Sequence, residues 1–147
     1  MKSLKQIILA ILINSILFNL SIATENFFEE AKKKFEKKDY EKSKFLFQRN
    51  IVYNPKNAES YLYLAKIFKN EENQEEEKKN LDTTLLLEPN NEEALYMLIN
   101  IQLDRSNFEK ANTLMNRFSN VCEKMCNKKK EISKSLQDFE ANNEKTN

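Results

Sequence analysis

Cys122 and Cys126 are the only thiols in the chain, and three residues separate them. On one helix face, or across a helix end, that spacing brings the two Cα atoms near the roughly 4.4–6.8 Å that a disulfide spans. Three chemistries are open to such a pair. It forms a structural bridge if the chain is exported to an oxidising space, or stays as two reduced thiols if it is not. The third is a redox or metal role, but the spacer departs from the C-x-x-C redox motif. Tetrahedral zinc needs four ligands, and the chain has no His and no further Cys to supply them.

No other group of residues suggests a reaction centre. The absence of Gly and His removes Gly-rich phosphate loops and His-based triads together. Runs such as Glu71 to Lys79 hold carboxylates at many spacings. Nothing marks one pair as desolvated, which acid–base work requires. The sequence therefore predicts a non-enzyme with no cofactor and no metal.

The elements that must carry the cysteines are helical. With 40% apolar and 32% charged residues, the composition suits a soluble helical protein, and Lys, Glu and Leu favour helix. The lack of Gly argues against tight β-hairpins.

The N-terminus has the three-part layout of a secretory signal peptide. Lys2 and Lys5 precede an apolar run from Ile7 to Leu20, followed by Ser21-Ile22-Ala23. Residues 1–23 are expected to be removed by cleavage after Ala23. The alternative is an uncleaved inner-membrane anchor, but the run is short against the roughly 20 apolar residues that span a bilayer. Export would place the mature chain in a periplasm or outside the cell. Losing Lys2 and Lys5 takes the formal charge from +1 to −1, since no acidic residue leaves with them. A chain so close to neutrality offers no electrostatic case for nucleic acid, and none for membrane binding after cleavage.

From about Glu25 onward, apolar residues recur at three- and four-residue spacing. Phe27, Phe28, Ala31 and Phe35 mark a first helix, and Asp39 is placed to cap a second that stops before Pro55. Asn57 caps a third bearing Tyr61, Leu64, Ala65 and Phe68; a fourth begins near Asn73 and ends before Pro89. Asn91 caps a fifth with Leu95, Leu98 and Ile99, and Asn107 opens a sixth with Phe108, Ala111, Met115 and Phe118. Each Pro stops a helix and biases the residue before it away from helical angles. Asn54-Pro55 to Leu64 returns 34 residues later as Glu88-Pro89 to Leu98. A fixed period of that size marks stacked repeats.

The pattern resembles the tetratricopeptide repeat, a helix–turn–helix unit of 34 residues. Copies run over about 24–57, 58–91 and 92–125, so the resemblance covers about two-thirds of the chain. Tyr61, Leu64, Ala65, Phe68, Leu81 and Pro89 occupy the family's large, small and terminal-proline slots in the clearest copy. Lys38, Glu72 and Ser106 stand where the family's inter-helix turn usually has Gly. Glu77 takes a small close-packing slot, and Glu123 stands where a third Pro would fall. A last helix over about 127–140, with Ile132, Ser133 and Leu136 in a narrow stripe, is expected to cap the array. Residues 141–147 are expected to fray. The resemblance thus implies an all-α fold, a tetratricopeptide-type α-solenoid of three repeats plus a capping helix.

The resemblance also implies a site. In that family the first helix of each hairpin lines a concave groove for a peptide or partner helix. The corresponding residues are Phe28, Glu29, Lys32 and Phe35, then Leu62, Tyr63, Lys66 and Lys69, then Tyr96, Met97, Asn100 and Leu103. Aromatic and Met side chains there would anchor an apolar peptide, and Lys32, Lys66 and Asn100 would form a row able to meet its carboxylate. The other reading of Phe28, Phe35 and Leu103 is packing between hairpins. Two functions follow: an exported scaffold or adaptor with a protein partner, or a structural repeat protein that is tethered or self-associating.

Overall fold

The computed structural model describes residues 27–144. The expected leader, with its cleavage point after Ala23, lies outside the described residues, as does the end of the expected tail at 145–147. Every element among the described residues is a helix: α1 (27–36), α2 (Tyr40–Tyr53), α3 (Ala58–Asn70), α4 (Gln74–Leu87), α5 (Glu92–Asp104), α6 (Phe108–Val121) and α7 (Lys128–Glu144). The starts fall at the Asp and Asn positions that the sequence predicts. The last helix continues to Glu144, past the expected end near Glu140. Among the described residues no helix is long and apolar enough to cross a membrane.

One turn design joins α1 to α2, α3 to α4 and α5 to α6. Lys38, Glu72 and Ser106 have φ of 59°, 57° and 55°, the left-handed region that costs a side-chain-bearing residue roughly 1–2 kcal/mol. Hydrogen bonding to the last helical carbonyls offsets that strain. The left-handed residue donates to the carbonyl three back, and the next residue to the carbonyl five back, as in Glu72 N–H to Lys69 (3.1 Å) and Asn73 N–H to Phe68 (2.9 Å). This pair defines a Schellman closure. Lys38 with Asp39, and Ser106 with Asn107, repeat it. The three Gly slots therefore keep the Gly conformation without Gly.

Side-chain capping holds at three of the expected positions. Asn57 accepts from Ser60 N–H at 2.7 Å, Asn73 from Glu76 N–H at 3.2 Å, and Asn91 from Ala94 N–H at 3.0 Å. Asp39 departs from expectation, since its side chain makes no cap hydrogen bond. Lys34 and Lys42 draw the carboxylate outward instead, at 3.8 and 3.6 Å.

The chain divides into two compact units between Ser60 and Tyr61. In the first, Ala31 and Phe47 are fully buried, and Ser43 Oγ donates to the Ala31 carbonyl at 2.9 Å. The small Ser43 lets the two helices approach closely. Asn50, also buried, donates to Ser60 Oγ at 2.9 Å, which satisfies two polar groups that would otherwise be costly inside.

The second unit has two apolar clusters. Leu62, Ala65 and Leu81 pack against Ala94, Met97, Leu98 and Ile101. Leu95, Ile99, Met115 and Phe118 enclose Ile132 of α7, with Leu136 at the margin. Each fully buried Leu- or Phe-sized side chain contributes roughly 1.5–3 kcal/mol. Leu62 is a correction to the expected groove, and so in part is Met97, which keeps only an edge on a cavity beside α5. Each is 5% exposed and belongs to the core. A first helix in a stack meets both its own hairpin partner and the following hairpin, so its apolar stripe is wider than one face.

Candidate functional site

The remaining expected contact residues are each placed by the helices that carry them. In the first unit, Phe28 lies edge-on to Phe47, with ring centroids 5.8 Å apart. Lys32 sits 5.4 Å from the Phe28 ring and 3.9 Å from Glu59. In the second unit, Lys66 lies 4.8 Å from the Tyr63 ring and 2.8 Å from Glu93. The Tyr96 hydroxyl donates to Glu131 at 2.9 Å, and Lys128 stands 5.3 Å from its ring. Lys128 first and Tyr96 second hold the Glu131 carboxyl below its usual range. The two cations of the polar row expected to meet a partner's carboxylate, Lys32 and Lys66, therefore meet carboxylates of their own chain. Glu59 and Glu93 each lie in the first turn of the helix two along from the Lys-bearing one, α3 after α1 and α5 after α3, where an acidic residue is favoured by the helix dipole. That placement made them available.

Asn100 leads to a different site. It lines a cavity of about 250 Å³ together with Lys69, Glu72, Glu77, Met97 and Asp104. The C-terminal turn of α3 supplies Lys69 and Glu72, the first turns of α4 supply Glu77, and α5 supplies the rest. Glu77 is 6% exposed. No hydrogen bond or ion pair among the described residues reaches its carboxylate. Among the described residues every deeply buried side-chain N or O has a partner, so the Glu77 oxygens must reach solvent, on the cavity side. Burial pushes its carboxyl above the usual range; Lys69 draws it down and Asp104 pushes it up. The sequence signal was its occupation of a small-residue slot. Asp104 carried no such signal.

Among the described residues no three Cys, His, Asp or Glu side chains are grouped to hold a metal ion.

The Cys pair serves architecture at the other end of the second unit. Cys122 and Cys126 are disulfide-bonded, with Cα atoms 5.3 Å apart. Within the loop they close, the N–H groups of Glu123, Lys124 and Met125 all donate to the Glu92 carboxylate, at 2.8, 3.1 and 3.1 Å. Desolvation would raise the Glu92 pKa, but these three donors together outweigh it and hold the carboxyl below its ordinary range. This arrangement replaces the proline turn of the earlier repeats and fastens the segment leading into α7.

No protein-family model matches the sequence, and no curated protein matches it. Solved structures do. The type III secretion translocator chaperone SycD of Yersinia enterocolitica superposes with a TM-score of 0.71 at 12% identity, over 84% of this chain and 88% of that one. The Sgt2 TPR domain of Aspergillus fumigatus gives 0.67 at 13% identity, over 83% and 82%. The first TPR of Spaghetti (RPAP3), bound to an HSP90 peptide, gives 0.66 at 14% identity, over 78% and 93%. At such identities the likeness speaks for architecture, and the fold is all-α and of tetratricopeptide-repeat type.

Proposed function

We propose that this protein is an exported interaction module, a scaffold or adaptor that holds a peptide or partner helix against the α3 and α5 surface of its second unit. The observation that carries the reading is the polar cavity beside Asn100, in which an unpaired carboxylate is left open by a fold that satisfies its other buried groups. Structures of the same fold support it. SycD has been solved with a peptide of the translocator YopD, and the Spaghetti repeat with an HSP90 peptide.

Export is part of the proposal. Its support is the leader pattern at residues 1–23 together with the Cys122–Cys126 bond, which persists in oxidising compartments. The mass of the processed protein checks it: a chain beginning at Thr24 is expected, and an intact chain held in membranes would overturn the localisation.

The module itself is tested by pull-down from the periplasmic fraction. A Tyr63→Ala/Asn100→Ala variant, which alters both helices of that surface and no charge, should lose the captured partner by about tenfold or more, with unchanged helical circular dichroism. Equal recovery by the variant would remove the α3–α5 surface from consideration.

A further inference from the structure

We propose that the cavity between the α3–α4 turn and α5 is an anchor site for one cationic side chain, the ammonium of Lys or the guanidinium of Arg, carried by a basic partner segment. The proposal rests on the interaction-module reading for the claim that the cation belongs to a partner. The site itself stands on its own geometry.

Glu72, Glu77 and Asp104 face the same cavity, with Lys69 as the one cation among its lining residues. The formal balance is three carboxylates against one ammonium. Lys69 is near enough to draw the Glu77 pKa down but forms no ion pair with a carboxylate among the described residues. Other nearby cations are engaged elsewhere. Lys66 holds Glu93 at 2.8 Å, and Arg105 is held by Gln74, on the cavity margin, at 2.6 Å and by Glu75 at 2.5 Å. Glu77 is the decisive group: 6% exposed, unbonded, with its oxygens open to the cavity.

With its side chain enclosed and only cavity water to donate to its oxygens, the Glu77 carboxylate is poorly solvated, and its pKa is raised accordingly; a cation in the cavity would stabilise it. A metal ion does not suit the place, because no three acidic side chains are grouped for ligation. An alkyl-ammonium or guanidinium does. Met97 gives its methylene stem an apolar wall, in the manner of long basic side chains on apolar surface. The Asn100 amide adds a neutral acceptor. At about 250 Å³ the cavity is smaller than the roughly 300–1,000 Å³ typical of whole small molecules, which favours one side chain over a free metabolite.

The test is an NMR titration of the protein with three probes: N-acetyl-lysine methylamide, N-acetyl-arginine methylamide and the uncharged N-acetyl-norleucine methylamide. The two cationic amides should shift the Met97 methyl and Asn100 side-chain amide signals, and norleucine should not. Glu77→Gln should weaken the cationic probes by about tenfold or more, as expected for loss of a charge-assisted hydrogen bond. Asp104→Asn, at the exposed rim, should weaken them less and cannot disturb the core. Equal shifts with norleucine, no shift with any probe, or unchanged binding by both variants would overturn the site. The pull-down separates the two readings. A partner captured by a protein that ignores the cationic amides sinks the cation site and spares the module. Cationic amides bound by a protein that captures no partner sink the module and spare the site.

Discussion

Glu92 accepts three backbone N–H groups from the Cys122–Cys126 loop, whereas Glu77, one helix earlier, accepts none. Both stand near a helix N-terminus, where a negative charge is favoured. Surroundings then drive them apart. Glu92 meets a loop whose amides turn toward it, and its pKa falls. Glu77 is desolvated in a cavity it shares with Met97 and Ile101, Lys69 offsets this only in part, Asp104 adds a second carboxylate, and its pKa rises. The first charge has been built into the architecture. The second has been left available, and that availability is what distinguishes a binding site from a structural contact.

The strongest way to break the comparison is to open the loop. Cys122→Ser/Cys126→Ser should lower stability by about 2 kcal/mol, the loop-entropy value for so short a ring. Chemical denaturation measures it, and hydrogen exchange should rise first at Glu123, Lys124 and Met125. Amides that stay protected in the double variant would mean that Glu92 alone organises the loop.

Next comes the carboxylate itself. Glu92→Gln should cost about 1–2 kcal/mol, reduced from the full value for charged hydrogen bonds because the site is partly solvated. Since the folded-state pKa is lowered, this contribution is present above the ordinary value of 4.5 and is lost as pH falls through the lowered one. The difference between wild type and variant should therefore vanish in acid.

The smallest effect has the opposite sign. Glu77→Gln should raise stability at pH 7 by up to about 1 kcal/mol, because it removes an unpaired buried charge. Its raised pKa means that the Glu77 contribution is fullest below 4.5 and is lost as pH rises through the raised value. Thermal melts of the two proteins should converge below pH 4.5 and separate toward neutrality. A destabilised variant at pH 7 would make Glu77 a structural residue like Glu92.

Much of the frame was legible in the sequence. The two Pro-Asn repeats of the period placed the helix boundaries, and the three non-Gly turn residues fell at the left-handed positions. The Cys pair is bridged, one of its three open readings. The site was less legible. Leu62 looked like a groove residue because a single-helix projection separates one face from the next. In the stack both faces are covered. Lys32 and Lys66 looked free because nothing local announces that a Glu 27 residues later, Glu59 or Glu93, will stand beside each of them.

The sequence by itself determined the helical period and the turn chemistry, because these depend on neighbours within a few residues along the chain. Only the tertiary structure decided which charges are spent. Whether a carboxylate is satisfied depends on donors brought from distant segments: three amides from the disulfide loop at Glu92, none at Glu77. That difference turned an unremarkable slot for a small residue into the cavity proposed to receive a partner's cation.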